Sequence, residues 1–227
     1  MEFAAYGEGE DLLLLLGWGN RLDGDNVRWF VDRLVDAGYR VHAAQLPTNG
    51  TDFEADYLDP VQEYRNGNAL QLAPVVGHST GGLVGPYLQP DGAVYCSPWW
   101  EFYGLKLRGM GFDLVRKLST DRPLVPIDFE RSELGALVSD SEWASLPKRV
   151  SPGFVAAIHD AQERMPDPGD DARVFCSLRD TVVGLDGIGA AVDPEQVTLY
   201  DGGHELFASA DRDAITDDLL DALDAVA

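Results

Sequence analysis

The stretch Leu72-Ala73-Pro74-Val75-Val76-Gly77-His78-Ser79-Thr80-Gly81-Gly82-Leu83-Val84 decides how the rest of this chain is read. An apolar run, Leu72–Val76, has the length of a buried strand. It leads into Gly77-His78-Ser79-Thr80-Gly81-Gly82, and a short helix is expected through Leu83, Val84 and Leu88. The spacing Gly-x-Ser-x-Gly alone carries little information; its place between strand and helix carries more. A turn this sharp holds the serine in a strained backbone conformation. Glycines flank it because neighbouring chain comes too close for a side chain. The serine then projects at the carboxyl end of the strand, beside a helix N-terminus that favours developing negative charge. An ordinary serine in a Gly-rich turn is the alternative reading. Pro74 removes a ladder donor, so a local irregularity is expected in the strand. Pro86 is expected to shorten or kink the helix.

Outward from this stretch, strand and helix signals alternate, which predicts a mostly parallel central sheet flanked by helices. Leu12–Leu16 reads as a buried strand ending at Gly17-Trp18-Gly19. Asp25 or Asn26 can cap a helix whose Val27, Phe30, Val31, Leu34 and Val35 have helical spacing, and Gly38 suits its end. Val41–Leu46 is a further strand, stopped by Pro47, and a short helix is expected around Val61–Tyr64. Ala93–Cys96, Arg173–Leu178 and Gln196–Tyr200 are three more strands. A last helix bears Ile215, Leu219, Leu223 and Val226 on one face, with Asp217, Asp218, Asp221 and Asp224 largely toward solvent.

Residues 101–170 break the alternation. They hold Glu101–Arg116, a stretch with Pro123 and Pro126, a helical stretch at Gly153–Arg164 and the turn Pro166-Asp167-Pro168-Gly169. The expected organisation is an α/β core from residues 1–100 and 171–227, with 101–170 inserted as a small helical cap. Trp99, Trp100, Phe102, Tyr103, Leu105, Leu107, Met110 and Phe112 lie at or near its start. Such a lid suggests an apolar acyl or alcohol group in the substrate, unless these side chains form the cap's own core. No basic cluster marks a phosphate or coenzyme A pocket; Lys106, Arg108, Arg116 and Lys117 could serve one, but their spacing does not establish it.

With the Gly77–Gly81 turn and this order of elements, the chain resembles the α/β-hydrolase superfamily over nearly its whole length. The resemblance implies a nucleophile, an acid and a histidine in that order. It makes Ser79 the nucleophile. His204, in Asp201-Gly202-Gly203-His204, follows the strand Gln196–Tyr200, where the family carries its catalytic histidine. His78 lies inside the turn and is expected to point elsewhere, His42 lies within a strand, and His159 lies in the cap. Asp180 follows the strand Arg173–Leu178 and precedes Val182-Val183, which matches an acid followed by a short apolar pair. Asp186 sits deeper in the following segment. The resemblance also implies an oxyanion hole from two backbone N–H groups. One is that of Thr80, after the nucleophile. The other is that of Trp18, in Leu16-Gly17-Trp18-Gly19-Asn20, where many relatives have His-Gly and this chain has Leu16-Gly17. The Gly-Trp-Gly string is similar to that of small carboxylesterases, including the methyl-ester esterases of biotin synthesis. The Trp18 ring is a candidate acyl-pocket wall, and Trp99, Trp100 and Phe102 are candidate substrate contacts.

The expected chemistry is hydrolysis of a small-molecule carboxylic ester or thioester through an acyl-enzyme. Histidine can take the serine's proton near neutral pH and return it to the leaving group, while the aspartate fixes its tautomer. The same three residues would also serve acyl transfer, carbon–carbon bond hydrolysis or hydroxynitrile cleavage. A non-catalytic binding protein on this fold is a third reading. Relatives with dehalogenase or epoxide-hydrolase chemistry use Asp where this chain has Ser79.

The 227 residues carry 39 acidic against 17 basic side chains, a formal net charge of −22, and only three lysines, Lys106, Lys117 and Lys148. Such a surface repels nucleic acid and anionic membranes. It resembles the surfaces of proteins from extreme halophiles, since the acids are spread along the chain. No apolar run approaches the roughly 18–20 residues of a membrane span. Met1-Glu2-Phe3 lacks the start of a secretory signal, so a soluble cytoplasmic protein is expected. Cys96 and Cys176 lie in apolar strand-like runs and read as buried thiols, although sequence leaves a disulfide open. No Cys/His spacing suggests a metal, and no cofactor is implied. Asn49-Gly50-Thr51 reads as a turn. Oligomeric state is not legible.

Overall fold

A computed structural model describes residues 1–102, 118, 120–127 and 129–226. Seven strands form the main sheet: β1 Glu2–Tyr6, β2 Glu10–Leu15, β3 Tyr39–Gln45, β4 Val75–His78, β5 Ala93–Cys96, β8 Arg173–Ser177 and β9 Val197–Tyr200. Their spatial order is β1-β3-β2-β4-β5-β8-β9. β1 pairs antiparallel with β3. The other neighbours pair parallel. A second, two-stranded ribbon joins β6 Val125–Pro126 to β7 Arg149–Val150. The expected mostly parallel sheet flanked by helices is the architecture observed.

Alternation along each strand divides the core into two layers. Leu13, Leu15, Val75, Tyr95, Val174 and Cys176 face one side. Leu12, Leu14, Leu16, Val76, Val94 and Phe175 face the other. Leu12–Leu16 are all fully buried. At about 2 kcal/mol per buried leucine relative to exposure, that run holds β2 in the middle of the sheet. Helix α1 (Asp25–Asp36) covers the second layer with Val27, Phe30, Val31 and Leu34. Helix α8 (Arg212–Asp224) joins it through Ile215, Leu219 and Leu223. Asp217, Asp218, Asp221 and Asp224 of α8 are exposed, as its pattern predicts. The first layer is covered by a π-helical turn (Glu54–Leu58) running into α2 (Asp59–Gly67), and by α6 (Pro152–Glu163).

Two of the boundaries that differ from the sequence expectation have a plain local cause. β4 begins at Val75, because Pro74 cannot donate to the ladder and Leu72 is 82% exposed. The Pro74 carbonyl still accepts from Leu13 N–H at 3.0 Å. Helix α3 (Thr80–Val84) is one turn long and tightens into a 3₁₀ turn at Gly85–Leu88, where Pro86 supplies no N–H. β1, which the sequence reading does not include among its strands, is a half-buried edge strand paired with β3.

Between β5 and β8 the described residues form β6, α4 (Arg131–Leu134), α5 (Asp140–Ser145), β7 and α6. Phe154, Val155, Ile158 and Ala161 of α6 belong to the same apolar layer as the sheet. The aromatic and basic candidates Tyr103, Leu105, Lys106, Leu107, Arg108, Met110, Phe112, Arg116 and Lys117 lie outside the described residues. Helix α7 (Leu185–Ala191) connects β8 to β9. No helix among the described residues is long and apolar enough to cross a membrane. Cys96 and Cys176 are both free and buried.

Candidate active site

The sheet brings the carboxyl ends of β4, β8 and β9 to one edge, and each candidate residue sits just beyond one of them. Ser79 follows β4 directly, with φ 51° and ψ −113°. For a residue with a Cβ this conformation costs on the order of 1–3 kcal/mol and persists only where its surroundings over-determine it. Here they do. Ser79 N–H donates to the Cys96 carbonyl at 3.0 Å, and the Ser79 carbonyl accepts from Trp99 N–H at 2.9 Å and Leu83 N–H at 3.1 Å. The turn closes so tightly that a Cβ on Gly81 would lie 2.1 Å from the Leu15 carbonyl oxygen. Thr80 opens α3, so its N–H is one of the first-turn donors that a helix leaves unpaired.

Beyond β8 and β9, two loops converge. His204 Nδ1 donates to Asp180 Oδ2 at 2.8 Å, with side chains 3% and 0% exposed. Asp180 Oδ1 accepts from Val182 N–H at 2.8 Å and Val183 N–H at 3.2 Å, so the apolar pair after the acid serves through its backbone. Burial opposes the Asp180 charge. The His204 charge, the hydrogen bond to it and the two backbone donors outweigh that, and the carboxyl is held below its ordinary range. Burial also opposes a charge on His204. Asp180, by its charge and hydrogen bond, outweighs it and raises the imidazole above 6.5. Because the carboxylate can only accept, His204 carries its proton on Nδ1, which leaves Nε2 as the basic nitrogen. Asp186, the rival acid, is exposed on α7.

The His204 loop is clamped from the side. His204 N–H donates to the Glu133 carbonyl at 2.9 Å and Glu205 N–H to the Leu134 carbonyl at 2.7 Å. Tyr200 OH donates to the Gly203 carbonyl at 2.7 Å. Helix α4, from the segment read as cap, is thus part of the site's wall.

The aromatic candidates divide. Trp18 is half-buried, with Nε1 donating to the Thr48 carbonyl at 2.7 Å and its ring edge-on to Phe129. Trp99 packs edge-on to Phe102 and against Phe154, and its indole N–H is buried with no hydrogen-bond partner among the described residues. Trp100 turns into the core, donating to the Gly82 carbonyl at 2.8 Å and packing on Tyr95.

Two polar residues that sequence reading did not single out also sit here. Asn20 and Glu205 are buried, and Asn20 Nδ2 donates to Glu205 Oε1 at 2.8 Å. Asn20 Oδ1 accepts from Gly17 N–H at 3.1 Å and from His78 Nδ1 at 2.9 Å. Burial depresses the His78 pKa to about 3, so that ring is neutral at any working pH. His42, by contrast, lies in β3 between Tyr64 OH and Asp11, each at 3.0 Å. The available signal for Glu205 was a lone acid opening the apolar run Leu206-Phe207-Ala208. Among the described residues, His159, Asp160 and Glu163 are the one group of three whose ligand atoms come within 4.8 Å of one another, and Asp160 and Glu163 are exposed.

Burial pushes the Glu205 carboxyl up from 4.5 to about 7, with the charge of Glu142 adding to the rise and Asn20 and His204 opposing it. A raised acid favours the folded state fully below the ordinary value, and that contribution is lost as pH rises toward 7. Glu205→Gln keeps an acceptor for Asn20 and cannot ionise. It should therefore be more stable than wild type at pH 8 by roughly 3 kcal/mol, with the gap closing toward pH 4.5. Urea denaturation across that range at constant salt measures it.

The sequence model described as the alpha/beta hydrolase family matches residues 12–217. No curated protein matches the chain in sequence. Among solved structures, the chain is similar to a monoacylglycerol lipase from Paleococcus ferrophilus, at 16% identity and a TM-score of 0.76, covering 97% of this chain and 98% of that one. It is similar to a soluble variant of monoglyceride lipase from Saccharomyces cerevisiae, solved with a substrate analog, at 14% identity and a TM-score of 0.75, covering 99% and 92%. It is also similar to an esterase from Exiguobacterium antarcticum, at 15% identity and a TM-score of 0.67, covering 98% and 94%.

Proposed function

The chain belongs to the alpha/beta hydrolase family, and from that premise we propose that it is a serine hydrolase cleaving a small-molecule carboxylic ester or thioester through an acyl-enzyme. Ser79 is the nucleophile, His204 the base and Asp180 the acid that orients it. The observation that carries this reading is the buried bond from His204 Nδ1 to Asp180, at the same sheet edge as a serine held at positive φ. A serine hydroxyl attacks only as a base removes its proton. With Nδ1 held by Asp180, Nε2 of His204 is the nitrogen that does so, and it then protonates the leaving alcohol or thiol. The backbone N–H groups of Thr80 and Trp18 receive the oxyanion. Water repeats the sequence on the acyl-enzyme and frees Ser79. The lipase and esterase neighbours support the substrate class.

Residues 101–170 are proposed as the cap, and Trp18, Trp99 and Phe102 as the walls that meet the substrate. Trp100 is the weakest of the proposed contacts, since its indole N–H and ring are committed to Gly82 and Tyr95. No metal or cofactor takes part in this mechanism. The net charge of −22 supports a halophilic setting, in which concentrated salt screens the repulsion between surface acids.

The test is a fluorophosphonate probe in molar KCl, read by intact mass. One adduct per chain is expected, absent in Ser79→Ala. No adduct on folded protein would overturn the assignment and favour a binding protein. Asp180→Asn should lower kcat by about 10³-fold or more, because the imidazole tautomer is no longer fixed. Since His204 must be neutral to act as base, kcat/KM should rise with pH through an inflection above 6.5. A pH-independent rate would contradict that role.

A further inference from the structure

Glu205 lies next to His204 and is 8% exposed. It lines a cavity of about 180 Å³ whose walls include Gly19, Asn20, Leu134, Glu142 and Phe207. The end of the loop after β2, from Gly19 to Arg21, forms part of its wall. A buried carboxyl there needs a reason, since neither the nucleophile, the base nor the acid uses it.

Its contacts supply one. Glu205 Oε1 accepts from Asn20 Nδ2, and Asn20 Oδ1 gathers Gly17 N–H and His78 Nδ1. Gly17 is pressed onto this junction so closely that a Cβ there would lie 2.5 Å from His78 Nδ1 and 2.8 Å from Asn20 Oδ1. The His78 ring lies with its centre 5.0 Å from that of His204, and its Nε2 is 3.4 Å from the His204 carbonyl. One side-chain amide therefore ties the loop after β2 to both neighbours of the base. Removing the acceptor for Asn20 Nδ2 would leave a buried donor unpaired and free the amide to rotate, which unpins Gly17 N–H.

We propose that Glu205 is a positioning residue for the oxyanion loop, holding the backbone of residues 17–20 through Asn20 so that the Trp18 N–H faces the carbonyl under attack. This rests on the serine-hydrolase reading above. A donor displaced by a fraction of an ångström acts on the transition state more than on the bound substrate, so the loss falls on kcat and spares KM. The titratable groups around Glu205 are His204 on its own loop, Glu142 on α5, and Arg21, Asp23 and Asp25, which line the same cavity; His78, the last residue of β4, reaches it through Asn20. Its carboxyl, raised to about 7, changes charge within the working range of the enzyme.

The experiment compares wild type, Glu205→Gln, Glu205→Leu and Asn20→Ser for hydrolysis of p-nitrophenyl butyrate between pH 5 and 9 in molar KCl. Circular dichroism checks each fold. Glu205→Leu should lose at least about tenfold in kcat with KM within about threefold of wild type. Glu205→Gln, which still accepts from Asn20, should keep kcat within about threefold and move the His204 inflection to lower pH, because the Glu205 charge that helps raise it is gone. Asn20→Ser cuts the same link from the loop side and should match the leucine variant, which keeps the test intact if Glu205→Leu fails to fold. Leucine or serine variants with wild-type kcat would overturn the positioning role alone. So would a glutamine variant as impaired as the leucine one with an unchanged pH profile. A wild type without turnover would overturn the serine-hydrolase reading, and the positioning role with it.

Discussion

Everything at this site depends on one buried hydrogen bond, from His204 Nδ1 to Asp180 Oδ2. Two ionisable groups with almost no exposure are costly to take out of water, and removing His204 would strand the Asp180 charge at a cost of about 3–5 kcal/mol. The surrounding structure offsets that cost locally. Val182 and Val183 amides satisfy the second carboxylate oxygen, and the Glu133 carbonyl fixes the imidazole's own backbone. The parallel pairing of β8 with β9 makes the meeting possible, because it delivers both following loops to the same end of the sheet.

The same sheet edge stores strain at Ser79. A positive φ there survives because three backbone hydrogen bonds and the approach of Gly81 to Leu15 leave the turn no other path. Rigidity of this kind suits the nucleophilic role proposed for Ser79: the hydroxyl would be presented at a fixed point, with no reorganisation required at the moment of attack. Helix α4 links this rigid half to the inserted segment. Its carbonyls hold the His204 loop, so the insertion proposed as a cap is also scaffold.

Much of this was legible in the sequence because the relevant signals are local. The Leu12–Leu16 run and the strand periods of β3, β5, β8 and β9 state their own burial. The Gly77–Gly81 spacing states a turn that only close packing demands. Pro74 and Pro86 read as irregularities, and they move the edges of β4 and α3 as a missing N–H must. What escaped was non-local. The short run Phe3–Tyr6 is a strand only through its antiparallel pairing with β3. Asn20 and Glu205 are 185 residues apart, and no pattern within either segment announces their bond. The clamp of α4 on the His204 loop is made by backbone carbonyls, which have no residue code. Trp100 could not be told from Trp99 in sequence, although one faces the core and the other leaves its indole N–H without a partner.

The central claim is that catalysis runs through an acyl group carried on Ser79. The direct measurement is rapid quenching of the protein with p-nitrophenyl butyrate in molar KCl, followed by peptide mass mapping. The account predicts a burst of p-nitrophenol of about one equivalent per chain and a butyryl group on the peptide containing Ser79, both lost in Ser79→Ala. Turnover without an acyl peptide, undiminished in Ser79→Ala, would contradict it.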